Sequence, residues 1–350
     1  MGLVRAVPKR GIILTSSRSD LAAATRKITA TDTFHLFVGA SYDPAPVRDG
    51  VLERYAAGIQ SGLHSAGYTL SVSHLPTRGA VGFVADKLNE APGGCFLACR
   101  SAELQEIIDL AERRGLPFVL LPTANTYRYA LRARSRFPTV DFEREDCVRE
   151  VVGKLWQAGH RRLAVAGSGG TIARTLGAFI DAVNAFEITL DGKCLFLSEV
   201  WLGADISLRR AFARHVVERI FSMDHRPTAI YCTDGTLSVD IVRECLDRGL
   251  KVGQDVSLVT TGLCAFVQEQ CPIDLAGTYS SYFELGETAA KVMLQTASGT
   301  FNGDEMIYLK RMWTDGSSLG PPLVMRPQTR RSPRQTNLGE EVMSPDRTST

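Results

Sequence analysis

The chain has 350 residues, 44% of them hydrophobic, and a formal net charge of +2. A chain of this length and composition can bury a large core and is typical of about two domains. The small net charge gives no reason to expect the chain as a whole to bind a membrane or nucleic acid.

The sequence carries no signal for export or membrane insertion. Its apolar runs are shorter than the roughly 18 residues of a transmembrane helix, and the run near the N-terminus is shorter than the ~7 residues of a signal peptide core. The eight cysteines form no CxxC pair and the six histidines form no HExxH motif, so neither a disulfide framework nor a metal site is indicated. We expect a cytoplasmic protein with free thiols and no cofactor.

Residues 1–33 form a short basic segment. It holds six Lys or Arg against Asp20 and Asp32, and it is too short for a helix-turn-helix with its supporting helix. The segment is either a basic leader or the remnant of a linker to a DNA-binding head, and its run PKRGIIL also fits the last strand of a winged-helix wing. We therefore expect DNA contact only through a head that is not visible in this chain.

Strands and helices alternate regularly from His35 onward. Short apolar runs, typical of buried strands, are followed by segments with apolar residues at helical spacing. The predicted strands are 35–40, 69–75, 94–99 and 118–123, and the predicted helices between them are 48–66, 81–89 and 102–114. This alternation predicts a doubly wound parallel sheet. The Arg-rich segment 124–138 is predicted to be a solvated connection.

The same alternation starts again at Thr139. The predicted strands of this second half are 139–142, 162–167, 194–199, 229–232, 256–259 and 275–280, and its helices are 144–158, 175–186, 207–221, 237–248 and 283–296. The runs MIYLKRMW and PLVMR are predicted to close the fold. The sequence thus predicts an α/β protein with two Rossmann-like lobes in series, each with a parallel sheet.

The stretch 227–262 predicts most about a binding site. It reads as a strand, a crossover helix ending at Gly249, and a second strand. A right-handed crossover places Thr233, Asp234, Thr260 and Gly262 together at the carboxyl edge of the sheet, where open α/β sheets bind ligands.

Patterns of catalysis are weak. The glycine-rich AGSGGTIAR lacks the Lys-Ser/Thr of a phosphate-binding P-loop, and Ile172 stands where a dinucleotide fingerprint needs its third glycine. The acidic residues after Val140 begin a helix, where carboxylates favour the positive end of the dipole. No Ser or Cys has a base partner in a recognisable pattern, so we do not expect an enzyme.

Several segments, taken in order, resemble the effector-binding region of the LacI/GalR family of transcriptional regulators. They are VDFEREDCVREVVGKLWQAGHRRLAVAG, the stretch 227–262, DLAGTYSSYFELGETAAKVML and GPPLVMRPQT. The resemblance covers about residues 34–329 and implies a periplasmic-binding-protein-like type I fold, with two lobes joined by crossover strands. It implies an N-terminal lobe of 34–140 plus about 273–302 and a C-terminal lobe of 141–272 plus about 303–326. Residues 327–350 have almost no apolar side chains and are expected to be a disordered tail.

The sequence departs from this family at residues expected to bind a ligand. The family usually has Asn-Asp where this chain has Thr233-Asp234, and it has an aspartate that bonds sugar hydroxyls where this chain has Gly262. Losing that carboxylate removes a charge-assisted acceptor for hydroxyl groups. The ligand-binding residues that position and resemblance imply are Tyr42, Val51, Asp141, Arg174, Trp201, Thr233 and Asp234.

The resemblance implies a sensor of small molecules. A sugar-like or nucleoside-like effector would bind between the lobes of a homodimer, and closure of the lobes would alter DNA binding by an attached head. Two alternatives share the fold: a solute-binding protein of a transport system, and an enzyme acting on sugar phosphates or nucleosides.

Overall fold

The structure is a computed structural model. It describes residues 33–39, 51–90, 93–98, 103–121, 138–168, 175–198, 206–301 and 306–323, and for residues 4–7 and 11–14 the backbone alone. The helices are α1 (Val51–His64), α2 (Ala80–Glu90), α3 (Leu104–Arg113), α4 (Glu145–Gln157), α5 (Leu176–Ala185), α6 (Ile206–Phe221), α7 (Gly235–Asp247), α8 (Ala265–Gln270) and α9 (Tyr282–Ala297).

The strands are β1 (Val4–Val7), β2 (Gly11–Leu14), β3 (Thr33–Val38), β4 (Thr69–His74), β5 (Cys95–Ala98), β6 (Phe118–Leu120), β7 (Thr139–Phe142), β8 (Arg162–Ser168), β9 (Thr189–Ser198), β10 (Ala229–Cys232), β11 (Ser257–Leu263), β12 (Ala276–Tyr279), β13 (Met306–Leu309) and β14 (Met312–Thr314). Strands β1 and β2 pair antiparallel with each other. The roles predicted for residues 1–33 stay predictions.

Two six-stranded sheets organise the rest of the described chain. One has the order β13-β7-β6-β5-β3-β4 and the other β14-β12-β11-β10-β8-β9. All neighbours in the first sheet are parallel, and in the second only β14 runs antiparallel to its neighbour. The prediction of two α/β lobes with parallel sheets is confirmed.

Each sheet is covered by helices on both faces. In the first, here called the N-lobe, α1 and α9 bury one face and α2 and α3 the other. In the second, the C-lobe, α6, α7 and α8 bury one face and α4 and α5 the other. Strands buried on both sides read as continuous apolar runs, which is why AIYC of β10 is entirely apolar and fully buried.

Within the described ranges, the chain passes between the two sheets at three places: residues 143–144, 280–281 and 310–311. Sheet membership therefore differs from the boundaries expected from the sequence. Strand β12 lies in the C-lobe rather than the N-lobe, and β13 lies in the N-lobe together with Asp141 of β7. A short apolar run predicts a strand, but its periodicity does not specify which neighbouring strand it will pair with.

Two differences concern single elements. The run MIYLKRMW forms two strands in different sheets, because Lys310 and Arg311 make the third crossing. Helix α8 lies between the predicted strands 256–259 and 275–280, where the sequence predicted no helix. Of PLVMR, Pro322 and Leu323 are outside regular structure, and the remaining residues lie outside the described ranges.

Helices α1 and α9 approach each other very closely where they enter the N-lobe. A Cβ atom on Gly58 would lie 2.0 Å from the carbonyl oxygen of Phe283, and one on Gly286 would lie 2.5 Å from that of Tyr55. The missing side chains let the two backbones touch. This packing fixes the first turns of both helices, which carry Val51 and Tyr282 to the space between the lobes.

Among the described helices, none is long and apolar enough to cross a membrane.

Candidate functional site

A cavity of about 200 Å³ lies between the two lobes. The N-lobe supplies Val51 and Tyr282 to its wall, and the C-lobe supplies residues from the ends of β10 and β11 and from the starts of α4 and α7. Arg144 of the first crossing and Arg311 of the third also line it. The cavity wall therefore includes both lobes and two of the three chain segments that connect them. A molecule bound in this cavity would contact both lobes at once.

The turn between β10 and α7 forms one wall. Asp234 caps helix α7: its Oδ1 accepts hydrogen bonds from Thr236 N at 2.9 Å, Leu237 N at 3.1 Å and Thr236 Oγ1 at 2.7 Å. These bonds satisfy amide groups that have no partner inside the helix. Beside it, the buried hydroxyl oxygen of Thr233 has no hydrogen-bond partner among the described residues.

The end of β11 forms the neighbouring wall. Gly262 lines the cavity with a φ of +81°, in the left-handed region that favours glycine. A Cβ atom there would have only the amide nitrogen of Gly235 nearby, at 4.0 Å. Glycine thus leaves open space where a carboxylate would otherwise project. Deeper in this wall, burial raises the pKa of Tyr231, whose hydroxyl lies 3.4 Å from Thr261 Oγ1.

The first crossing carries an ion pair. Arg144 Nη2 donates to Asp141 Oδ1 at 2.8 Å and to Oδ2 at 3.1 Å, and the Phe142 amide donates to Oδ1 at 2.7 Å. The Asp141 carboxylate is almost completely buried, while Arg144 lines the cavity. Asp141 therefore acts on the cavity through Arg144, whose charge it neutralises and whose position it fixes.

The third crossing brings a second arginine to the cavity. Arg311 Nη1 lies 3.9 Å from Cys147 Sγ, and its guanidinium carbon is 5.2 Å from the centre of the Phe142 ring. Burial acts to lower the pKa of Arg311, but Cys147 and other nearby groups, including Asp141, raise it above its ordinary value. Arg311 is therefore a permanent cation at the point where the chain passes from one lobe to the other.

The thiol of Cys147 lies near the second and third crossings, beside Thr278 of β12 and Arg311. Cys147 lies in the first turn of α4, is buried, and has its Sγ 3.0 Å from Thr278 Oγ1 on β12. This contact ties α4 to the C-lobe strand that leads into the second crossing. No group of three or more His, Cys, Asp or Glu side chains in the described ranges is placed to hold a metal ion.

The structure brings together some of the residues singled out from the sequence. Val51, Thr233 and Asp234 line the same cavity, and Asp141 adjoins it through Arg144. Tyr42, Arg174 and Trp201 lie outside the described residues. As ligand-binding residues, all seven stay predictions.

Sequence reasoning missed Arg144, Arg311 and Tyr231 as lining residues. Arg144 follows a strand end directly, a position that could have been noticed by the same rule that selected Thr233. Arg311 gave no such signal, because it sits inside the strand-like run MIYLKRMW, which the fold divides between two sheets.

Residues 152–318 match the family model of a periplasmic binding protein-like domain. This part of the chain, just under half of its length, is therefore similar to that class of domains. No match to the chain was found among curated proteins.

Solved structures extend the likeness to most of the chain. A LacI family transcriptional regulator from Enterococcus faecium with bound ribose is 15% identical, with 83% of this chain and 99% of that chain covered and a TM-score of 0.64. One from Weissella paramesenteroides with bound sucrose is 16% identical, with 82% and 98% covered and a TM-score of 0.64. The lac repressor dimer bound to operator and the anti-inducer ONPF is 17% identical, with 88% and 100% covered and a TM-score of 0.64. The chain has the fold of these regulators, so the LacI/GalR resemblance is confirmed for the fold.

Proposed function

We propose that the chain is the effector-sensing part of a LacI/GalR-like transcriptional regulator. A small molecule binds in the cavity between the lobes, and closure of the lobes is coupled to DNA binding by an attached head. The observation that carries this proposal is the cavity itself, because its wall is formed by both lobes and by two of the crossings. A ligand that contacts both walls favours the closed arrangement by its extra affinity for that state.

The similar structures support a sugar-like effector and a homodimer, since ribose and sucrose are bound to two of them and the lac repressor structure is a dimer. Light scattering tests the assembly directly. We expect the mass of two chains in solution, and a monomer at every concentration would remove the homodimer from the proposal.

A cavity-filling substitution tests the binding site. We expect Val51→Trp to block the cavity, because Val51 lines it from the first residue of α1. A thermal-shift screen of sugars, sugar acids, sugar phosphates and nucleosides should find compounds that raise the melting temperature of the unaltered chain. A ligand at 100 times its Kd adds about 2.7 kcal/mol of stability, so the shift should be measurable.

Val72→Trp is the matched control, because Val72 is exposed on β4 and does not line the cavity. Compounds that act through the cavity should stabilise the Val72→Trp chain and leave Val51→Trp unaffected. Equal stabilisation of both variants would place the bound molecule elsewhere and contradict the proposed site.

A further inference from the structure

We propose that the effector carries a negative charge, as a carboxylate or a phosphate, and that Arg311 binds this group with help from Arg144. This inference rests on the proposed function, since it names the chemical class of the molecule held between the lobes. It does not follow from the related structures with bound ribose and sucrose, which are neutral sugars.

The charges around the cavity favour an anion. Among the described lining residues, Arg144 and Arg311 are cations and Asp234 is the one carboxylate. Asp141, just behind Arg144, neutralises that arginine through the bonds to its Nη2. The described residues place no carboxylate at salt-bridge distance from Arg311, whose nearest partners are a thiol and an aromatic ring. Arg311 therefore has no salt-bridge partner at the cavity wall among the described residues, and Asp141 acts on its charge only from beyond salt-bridge distance.

The carboxylate of Asp234 does not cancel this charge directly. Its Oδ1 accepts three hydrogen bonds from the first turn of α7, and the positive end of the helix dipole further stabilises it there. Asp234 lies on the C-lobe wall at the end of β10, whereas Arg311 lies in the third crossing. The two groups belong to different walls of the cavity.

Several donors near the cavity have no partner in the described part of the chain. The Nε atoms of Arg144 and Arg311 and the hydroxyl oxygens of Thr233 and Ser280 are buried without a hydrogen bond. Such groups cost about 1–3 kcal/mol each when left unsatisfied. A carboxylate or phosphate has several acceptor sites and matches the fork of guanidinium donors. A neutral sugar instead supplies hydroxyls that donate as well as accept, and Gly262 has no side-chain carboxylate to accept from them.

The place of Arg311 couples this charge to lobe movement. It lies between β13 of the N-lobe and β14 of the C-lobe, while Arg144 lies between β7 and α4. An anion held by both guanidinium groups would bridge two of the three crossings. Binding would then draw together the segments about which the lobes rotate.

Matched pairs of neutral and acidic probes test the inference. The pairs are glucose with glucuronate, galactose with galacturonate, ribose with ribose 5-phosphate and adenosine with adenosine monophosphate. We expect at least one acid to bind the unaltered full chain and its neutral counterpart to bind much more weakly. The carboxylate and phosphate pairs distinguish the two sources of charge.

Arg311→Gln and Arg311→Lys test the residue. Removing the guanidinium should weaken binding of the preferred acid on the order of 10- to 100-fold, the loss of a charge-assisted hydrogen bond. Lysine keeps the charge without the bidentate fork, so its loss should be intermediate. Arg149→Gln is the matched control, because Arg149 is exposed on α4 and does not line the cavity; its Kd should be unchanged.

Measurements on the unaltered chain keep the test independent of how the variants fold. Raising the NaCl concentration from 50 to 500 mM should weaken binding of the acid, and any residual neutral binding should change little. Neutral members that bind more tightly in every pair, and that are blocked by Val51→Trp, would overturn the charge inference while leaving the proposed function intact.

Two other outcomes also overturn it. Acid binding that survives both Arg311→Gln and Val51→Trp would place the anion outside the cavity. If no acid in the panel binds, the assignment of Arg311 as an anion-binding residue is wrong. The thermal-shift screen of neutral and acidic compounds would still test the proposed function separately.

Discussion

Buried polar groups in the C-lobe differ sharply from those at the cavity between the lobes. Between α6 and α7 of the C-lobe, Arg209 Nε lies 2.5 Å from Asp240 Oδ2, and both side chains are almost fully buried. At the cavity, the charge of Arg311 has no such partner among the described residues, and its Nε is unbonded. Arg209 also keeps an unbonded Nη1, but its charge is neutralised.

A second pair of groups shows the same contrast. The buried ring of His160 has both nitrogens bonded: Nδ1 lies 2.8 Å from Thr228 Oγ1 and Nε2 lies 2.9 Å from the carbonyl oxygen of Gly320. At the cavity, Thr233 Oγ1 has no partner. Polar groups with paired partners hold a fold together, whereas unpaired ones at a cavity wall are available to a ligand.

The largest expected effect comes from breaking the closed ion pair. Asp240→Asn leaves the buried charge of Arg209 without a counter-ion and should lower the free energy of unfolding by about 3–5 kcal/mol. Urea unfolding of the unaltered chain and of Asp240→Asn measures this loss of free energy. Asp146→Asn, which removes the partner of the exposed Arg149, is the control and should cost no more than about 1 kcal/mol.

The same measurement on Arg311→Met sharpens the contrast. Because no described carboxylate depends on Arg311 as an ion-pair partner, we expect its loss to change stability by less than about 1 kcal/mol or to raise it. If Arg311→Met destabilises the chain as much as Asp240→Asn, then Arg311 is a structural residue and the contrast between the two regions fails.

Two identical substitutions give the next largest effect. Thr228→Val should lower the free energy of unfolding by about 1–3 kcal/mol, because it leaves the Nδ1 of the buried His160 without its partner. Thr233→Val should change it by less than about 0.5 kcal/mol, because the hydroxyl it removes has no partner to lose. Equal losses in thermal or urea unfolding would contradict the assignment of Thr233 to ligand binding.

The smallest effect is a dependence of stability on pH. Burial lowers the pKa of His160, with Arg161 adding to the shift and the bond to Gly320 opposing it. In the unfolded chain His160 takes up a proton near pH 6.5, its ordinary pKa. The folded state resists this proton, so the stability it contributes is present above about pH 6.5 and is lost as the pH falls toward its lower folded pKa.

Replacing the ring isolates this contribution. We expect the free energy of unfolding to fall more steeply between pH 7 and pH 5 in the unaltered chain than in His160→Gln, where residue 160 no longer titrates. Parallel curves for the two proteins would show that His160 contributes nothing to the pH dependence.

The order of the helices and strands along the chain could be predicted from the sequence, but the strands that pair with each other in each sheet could not. The periodicity of the helix at 144–158 and the apolar run at 229–232 predicted α4 and β10 nearly residue for residue. Gly249, predicted to end a helix, has a φ of +73°. These are local properties, set by side-chain spacing and backbone conformation.

Sheet membership and much of the cavity wall depend on long-range contacts. β13 and β14 read as one strand, since both are apolar and only two residues separate them. Arg311 lies in that gap, so its place at the cavity follows from the crossing between sheets and from no local pattern. Thr233 and Asp234 could be selected because the end of a parallel strand is a general position for ligand contacts.

Hydrogen exchange of the full chain, with and without the acid that stabilises it most, tests the central claim that the two lobes close on one small molecule. Closure on the ligand should slow exchange at the start of α1 in the N-lobe and, at the same ligand concentration, at the turn from β10 to α7 in the C-lobe. Protection confined to one lobe, or to the part of α6 and α7 around Arg209 and Asp240, would contradict it.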